Sequence, residues 1–305
     1  MRAVVLGSAA GGGFPQWNCR CPVCGLAWAG DPRVRRRTQS SLAVSADGER
    51  WALVNCAPEI LSQIAQVKLL HPREGRRHSP VGDVLLTNAD IDHIAGLLSL
   101  REAQPFHLHA TAAVHAVIGG NSVFDVLAPG VVDRRTVQFN QAFALADGVS
   151  AEIFPVPGKV ALYLEAGEVA RAGELATAVE GEQTVGVELR ANGARLLYIP
   201  GCAAMTDALR ARLDGADVVL FDGTLWRDDE MQLAGVGTKT GRRMGHMSMS
   251  GAEGSMAALS GLRLGRRIYV HINNTNPVLI EDSPERAEAR AAGWEIAEDG
   301  MEIDL

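Results

Sequence analysis

Short apolar runs recur along the chain in lengths typical of β-strands, and helical spacing follows several of them. In the first half they predict strands at residues 3–6, 41–45, 51–55, 84–87 and 106–110. In the second half they predict strands at residues 185–190, 195–199, 218–221 and 267–271. Apolar positions with helical spacing occupy residues 94–102, 112–118 and 255–264. Strand pairs followed by helices in both halves indicate an α/β protein, an αββα sandwich of two mixed sheets flanked by helices.

Two dipeptides mark tight hairpin turns between predicted strands. Asp47-Gly48 and Asn192-Gly193 are pairs favoured where a short loop needs positive φ angles. No repeat, low-complexity tract or linker rich in Pro, Gly or Ser divides the sequence. We therefore expect a single domain over residues 1–305, with a metal-binding loop near residues 19–24.

The composition is that of an ordinary folded protein, and its charge narrows the range of partners. The 305 residues are 47% hydrophobic and 21% charged, and the net charge is −7. Because phosphate binding relies on a basic face, this charge argues against a nucleic-acid partner. No apolar stretch approaches the roughly 18 residues of a membrane helix, and the first apolar run is too short for a signal peptide. We expect a cytoplasmic protein without a membrane span.

Three of the five cysteines, Cys19, Cys21 and Cys24, lie within six positions on a loop that contains a proline. Three cysteines this close cannot all form disulfides with one another, and they match three corners of a tetrahedral zinc site. The alternative is a set of unliganded thiols that serve packing alone. We expect a structural zinc that clamps the fold, with its fourth ligand supplied from a distant part of the chain.

A second cluster of candidate ligands follows the strand predicted at residues 84–87. Asn88, Asp90, Asp92 and His93 lie on a tight loop before a helix, where their side chains can converge on one point. An acidic loop whose aspartate caps the helix would produce the same pattern. His271 favours a binding site, because it ends another predicted strand and so reaches a sheet edge.

These segments resemble the metallo-β-lactamase superfamily. The loop at residues 88–93 is similar to its His-x-His-x-Asp-His signature, with Asn88 and Asp90 in place of the first two histidines. The resemblance implies an active-site metal with three ligands: Asp92, His93 and His271. Further along, Cys202 stands in the place of the bridging aspartate, and Asp222 ends the next acidic strand. His246 lies in a turn similar to the superfamily's Gly-His-x-Ser turn.

The resemblance implies catalytic or orienting roles for four side chains: Asp90, Asp222, His246 and Cys202. The residues alone leave plainer alternatives open. Cys202 is next to two alanines and fits simple packing, Asp222 fits a cap of the next segment, and His246 fits a hydrogen bond without metal ligation.

The cysteine loop also resembles the structural zinc site of phosphodiesterases of the PhnP family, within the same superfamily. There the fourth ligand is a histidine three positions after the last active-site histidine, and here that position is Asn274. Three candidates for the fourth zinc ligand therefore remain: Asn274, His109 and water.

The departures from the signature argue against hydrolysis. A two-metal hydrolase needs the missing histidines and the bridging carboxylate. What remains is two histidines and one carboxylate with open positions, the arrangement of non-haem Fe(II) enzymes that activate dioxygen.

Over its whole length the sequence is similar to a family of pyrroloquinoline quinone (PQQ) biosynthesis, with matching segments at residues 11–19 and 273–277. The resemblance implies Fe(II)-dependent hydroxylation of the tyrosine ring in a cross-linked Glu-Tyr precursor, either free or peptide-bound. It also implies other PQQ biosynthesis proteins as partners. The alternative is a carrier that moves the quinone or its precursor toward the periplasm without catalysis.

Overall fold

The apolar runs form two mixed β-sheets in the computed structural model, which describes residues 1–172 and 176–305. Within those residues each sheet has seven strands. The first sheet contains, in spatial order, β14 (Glu302–Asp304), β1 (Arg2–Gly7), β2 (Ser41–Ser45), β3 (Trp51–Val54), β4 (Val81–Leu85), β5 (Phe106–Ala110) and β6 (Val132–Thr136). The second contains β13 (Trp294–Ile296), β12 (Arg266–Val270), β11 (Val218–Asp222), β10 (Ala194–Ile199), β9 (Val185–Ala191), β8 (Ser150–Pro155) and β7 (Phe143–Ala144).

Strand direction divides each sheet into two halves. In the first sheet, β14 to β3 pair antiparallel and β3 to β6 pair parallel. In the second, β7 to β10 pair antiparallel and β10 to β13 pair parallel. Both hairpins predicted from Asp47-Gly48 and Asn192-Gly193 are present, as β2–β3 and β9–β10.

Helices flank the sheets, several of them begun by a side chain that accepts a backbone N–H. They are α1 (Pro22–Ala29), α2 (Ile60–Gln66), α3 (Ile91–Ile94), α4 (Ala112–Gly119), α5 (Glu165–Ala172), α6 (Asp207–Leu213), α7 (Glu230–Leu233), α8 (Gly241–Met244), α9 (Ser255–Ala258) and α10 (Pro284–Ala291). Thr111, Thr206 and Ser283 each accept from the N–H three residues later, which starts α4, α6 and α10.

Apolar side chains fill three layers. One layer lies between the sheets and includes Val44, Leu85 and Leu196. The other two lie beneath the helices, one around Leu53 and Ile94 on the first sheet, the other around Phe221 and Trp294 on the second. The predicted αββα sandwich is confirmed.

Three predicted elements differ from the structure. Residues 94–102, predicted as a helix, comprise the last residue of α3 and a 3₁₀ helix at Ala95–Leu100. The strand predicted at residues 84–87 occupies Val81–Leu85 instead, and Thr87 already donates its N–H to the side chain of Asn55. The helix predicted at residues 255–264 ends at Ala258. Gly261 has a φ of 78°, which is incompatible with a continuing right-handed helix, and the chain turns there toward β12.

Candidate metal centres

The loop between β4 and α3 holds two of the expected ligands in fixed positions. Asn55 accepts hydrogen bonds from both the N–H and the hydroxyl of Thr87, at 2.9 and 3.1 Å, which ties the start of the loop to the end of β3. The side chain of Asn88 then accepts the N–H of Asp90 at 2.9 Å. Two amide side chains, of Asn55 and Asn88, therefore hold the start of the loop in place.

Asn88 also decides how His93 presents its ring. Nδ1 of His93 lies 2.7 Å from Oδ1 of Asn88, an oxygen that can only accept, so Nδ1 carries the proton. The lone pair is therefore on Nε2, which is buried and has no hydrogen-bond partner within the described residues. It lies 3.5 Å from Oδ2 of Asp92. An unpaired buried nitrogen beside a carboxylate is the arrangement of a metal ligand without its metal.

His271 approaches the same carboxylate from the second sheet. It follows β12 with a φ of 56°, a left-handed conformation that is uncommon for a residue with a side chain. Its Nε2 lies 3.1 Å from Oδ2 of Asp92, and its ring is 5.3 Å from that of His93. The ligand atoms of all three residues lie within 4.8 Å of one another, so a single ion can contact them all.

Thr224 orients His271 in the way that Asn88 orients His93. Its hydroxyl donates to Oδ1 of Asp222 at 2.6 Å and lies 2.8 Å from Nδ1 of His271. A hydroxyl whose proton points to Asp222 accepts from Nδ1–H of His271, which directs Nε2 toward Asp92. Burial opposes protonation of His271, but its hydrogen bond to Asp92 raises the pKa of the imidazole, so a bound metal would displace a proton from Nε2.

Asp222 is fully buried and makes four hydrogen bonds. Besides the hydroxyl of Thr224, it accepts the N–H of Thr224, the N–H of Cys202 at 2.9 Å and Nδ1 of His246 at 2.8 Å. Asp222 therefore fixes the positions of Thr224, Cys202 and His246. Because Nδ1 of His246 is bound to Asp222, its Nε2 is turned toward the pocket that Asp92, His93 and His271 also line. The ring of His246 stacks on that of His271 at 5.3 Å.

Cys202 contributes through its backbone, since its thiol points to the carbonyl of Ala204 at 3.2 Å. Burial raises the pKa of that thiol far above its usual range, so it is neutral. Asp90 lies at the pocket, where its Oδ1 accepts the N–H of Leu162 at 3.1 Å. Burial and the nearby carboxylate of Asp92 raise the pKa of Asp90.

The electrostatics of the three ligands suit a cation. Burial opposes ionisation of Asp92, but His93 and His271 hold its pKa well below the usual range. Burial lowers the pKa of His93 to about 4, so its imidazole is neutral at physiological pH. A neutral imidazole and an ionised carboxylate are the protonation states in which these groups bind metals.

The cysteine loop forms a second cluster at the start of α1. The sulfur of Cys21 accepts the N–H of Cys24 and caps the helix, with Pro22 in the first turn. The three sulfur atoms lie within 4.8 Å of one another and are buried. Tetrahedral zinc with Zn–S bonds of about 2.3 Å needs sulfurs about 3.8 Å apart, which this loop can supply with little movement.

Of the candidates for the fourth zinc ligand, Asn274 lies against the sulfurs. Its amide nitrogen is 3.2 Å from Sγ of Cys19 and 3.3 Å from Sγ of Cys24. Its Oδ1 is buried without a hydrogen-bond partner in the described part of the chain, and rotating the amide would exchange the two atoms. His109 is engaged elsewhere, with Nε2 2.9 Å from Oδ1 of Asp83.

The structure brings together the ligand atoms of the three residues expected to bind the metal, Asp92, His93 and His271, whereas the residues that orient them were not expected. Asn88 stands where the superfamily signature has a histidine, and here it fixes the tautomer of His93. Thr224 received no role, although it contacts Asp222, His246 and His271. The signal available was its position two residues after Asp222, where a hydroxyl can bond back to the carboxylate.

Comparison with known proteins agrees with this architecture. A family model described as a beta-lactamase superfamily domain matches residues 50–272. A solved structure described as a new diphosphatase from the PhnP family covers 100% of this chain and 98% of its own, with a TM-score of 0.67 at 21% identity. At that identity the likeness concerns the fold alone.

Nearer relatives span the whole chain. Coenzyme PQQ synthesis protein B of Methylorubrum extorquens is 58% identical over 305 residues, 100% of both chains. That of Xanthomonas oryzae pv. oryzae is 53% identical, again over 100% of both. The crystal structure of Zn²⁺-bound PqqB from Methylobacterium extorquens superimposes with a TM-score of 0.97 at 58% identity, covering 100% of both chains.

The matched domain and the doubled sheet define a member of the beta-lactamase superfamily. Within that superfamily, the chain belongs to the coenzyme PQQ synthesis protein B (PqqB) family and is thus a PQQ biosynthesis protein. Among the helices in residues 1–172 and 176–305, none is long and apolar enough to cross a bilayer.

Proposed function

We propose that this protein is an Fe(II)-dependent oxygenase that hydroxylates the tyrosine-derived ring of a cross-linked Glu-Tyr precursor of PQQ. The proposal rests on the triad of Asp92, His93 and His271, whose ligand atoms converge from two sheets. Two imidazoles and one carboxylate are the ligand set of non-haem iron enzymes. When bound there, iron would activate dioxygen, so that one oxygen atom enters the ring and the other leaves as water, with two electrons per turnover drawn from an added reductant such as ascorbate.

The surrounding side chains would position the substrate and its protons. Nε2 of His246 faces the pocket because Nδ1 is held by Asp222, so His246 can exchange a proton with a phenolic oxygen. Oδ2 of Asp90 is available for a substrate N–H or O–H, since Oδ1 accepts from Leu162. Asp222 positions His246, and Cys202 supports Asp222 through its N–H.

We also propose that the cysteine loop binds a structural zinc. The convergence of Cys19, Cys21 and Cys24 beside the amide of Asn274 supports this, and so does the zinc-bound relative at 58% identity. We propose Asn274 as the fourth ligand through its side-chain oxygen.

The test compares protein loaded with iron and with zinc at the triad, supplied with the precursor, dioxygen and a reductant such as ascorbate. Oxygen uptake and an oxygenated product should appear with iron, whereas zinc has no accessible second oxidation state and should yield none. His246→Ala should slow the iron form by about 10–100-fold with the iron still bound. Equal product from both forms, or none from well-loaded iron protein, would favour the carrier function.

A further inference from the structure

The pocket that contains the metal triad also has a strongly cationic wall. Two lysines, Lys159 and Lys239, line the pocket, and Arg243 lies beside them. All three surround the carboxylate of Glu165, which lines the same pocket. Neither the triad nor the groups that orient it involve any of these four residues.

The carboxylate of Glu165 contacts all three cations, two of them closely and one at a longer distance. Nη2 of Arg243 donates to Oε2 at 2.9 Å, and Nζ of Lys159 lies 3.1 Å from Oε1. Nζ of Lys239 is farther away, at 3.7 Å from Oε2. Among the described residues, Glu165 is therefore the carboxylate in contact with all three cations, and Asp90 acts on Lys159 from farther away, so positive charge is left in excess at this wall.

The use of lysine at this wall is also unusual for the chain. The sequence has 29 basic residues, of which only Lys68, Lys159 and Lys239 are lysines. Two of the three therefore line one small pocket. Lysine differs from arginine in carrying a compact, mobile ammonium that can follow an anion. The Lys239 side chain is 40% exposed, so its ammonium is accessible to a ligand.

Lys159 is held in place by the segment that carries it. Its carbonyl accepts the hydroxyl of Thr184 at 3.2 Å. Farther along, the N–H of Leu162 binds Asp90, and the hydroxyl of Tyr163 donates to the carbonyl of Ala89 at 2.8 Å. These contacts attach the segment that carries Lys159 to the loop that bears Asp92 and His93, so the position of Lys159 relative to the triad is set by the fold.

We propose that Lys159, Lys239 and Arg243 form a carboxylate-binding subsite that selects carboxylate-bearing substrates for the metal pocket. Glu165 keeps the three cations together, and an incoming carboxylate supplies the missing negative charge. The inference rests on the proposed function in one respect, namely that the substrate enters this pocket. The alternative is an ion-pair network that only joins α5 to α8 and binds no ligand. Lys239 distinguishes the two, because its contact with Glu165 is long and its side chain is partly exposed, so it contributes little to such a network.

The test measures binding to zinc-loaded protein, which carries out no oxidation. The probe is PQQ, a tricarboxylate, and its trimethyl ester is the uncharged counterpart. Lys239→Gln should weaken PQQ binding by about 2–5-fold, the loss expected for one partly exposed charged contact, and should leave ester binding unchanged. Lys239→Arg should retain most of the affinity, since the charge is kept.

Lys68→Gln is the matched control, because Lys68 is the remaining lysine and lies exposed on a turn after α2. Its PQQ affinity should equal that of the unchanged protein, and zinc content should be the same in all variants. Undiminished PQQ binding by Lys239→Gln, or an equal loss for the ester, would overturn the subsite. Because the readout is binding to the zinc form, failure of iron-dependent hydroxylation would leave this result unaffected.

Discussion

Nε2 of His271 lies 3.1 Å from Oδ2 of Asp92, although 179 positions separate these residues in the sequence. Asp92 follows the first sheet and His271 follows the second, so the two meet only when the sheets pack face to face. A metal bound between them therefore joins the two halves of the sandwich. Because the unfolded chain lacks this arrangement, metal binding should add to the stability of the fold.

His271→Ala should remove the triad metal and leave the cysteine zinc in place. The variant loses one of two imidazole ligands, and the remaining pair, Asp92 and His93, is too few for tight binding. Metal content by mass spectrometry should fall by about one ion per chain, and saturating metal should no longer raise Tm to the wild-type extent. His78→Ala, at a histidine outside both clusters, should change neither quantity. Full metal content in His271→Ala would place the ion elsewhere.

The convergence of Asp92, His93 and His271 could be predicted because the superfamily resemblance points to these positions and each follows the end of a strand. A polar residue that follows an apolar strand lies at a sheet edge whatever its partners, and the spacing of Asp92 and His93 is local. The orienting roles of Asn88 and Thr224 could not be predicted in that way. Thr224 acts across 47 positions on His271, and only the packed structure shows which ring its hydroxyl meets.

Two of the strands that were not predicted from the sequence, β6 and β14, share a physical cause. In β6 only Val132 is buried, and the next four residues are exposed, so the apolar signal is absent at this sheet edge. β14 has three residues, of which only Ile303 is buried. Such strands are defined by backbone hydrogen bonds to the neighbouring strand, and these bonds do not require an alternating pattern of apolar residues.

Thr224→Val should weaken metal binding without preventing folding. Valine has a similar shape but no hydroxyl, so His271 loses its acceptor and the carboxylate of Asp222 loses one donor. Loss of a group that orients a ligand typically lowers metal affinity by about 10–100-fold. The cost in unfolding free energy should be about 1–3 kcal/mol, for buried polar groups left unpaired.

Competition with a chromogenic chelator measures the affinity of the Thr224 variants. Thr224→Ser keeps the hydroxyl and should therefore retain most of the metal affinity of the wild type. If serine and valine weakened binding equally, side-chain packing and not the hydroxyl would be responsible.

Loss of the zinc in the cysteine loop should lower the free energy of unfolding and should have little effect on metal binding at the triad. Cys24→Ala removes one of three sulfurs and should release the zinc from this loop, lowering the free energy of unfolding by roughly 2–5 kcal/mol. Asn274→Ala should lower zinc affinity and leave the three cysteines in place, if its oxygen is the fourth ligand. Zinc titration together with urea unfolding measures both effects. Unchanged zinc affinity in Asn274→Ala would assign the fourth position to water.

The Glu165 carboxylate should make the free energy of unfolding depend on pH below about pH 5. Burial by itself raises the pKa of this carboxyl, but hydrogen bonds from Arg243 and Lys159 and the nearby cations lower it from 4.5 to about 2. A carboxyl with a depressed pKa in the folded state stabilises the fold above its unfolded pKa. That contribution is lost as the pH falls from 4.5 toward 2.

Glu165→Gln keeps the shape of the side chain and removes its charge, so it isolates this contribution. Urea unfolding of metal-free wild type and variant should give a stability difference of about 2 kcal/mol near pH 6, after allowance for solvent screening. The difference should be constant down to about pH 5 and should shrink steadily below it, because wild-type Glu165 then takes up a proton on unfolding. Removing both metals beforehand keeps acid release of zinc or iron out of the comparison. A difference that stayed constant down to about pH 3 would show that Glu165 is solvated like an ordinary carboxylate and does not hold the three cations together.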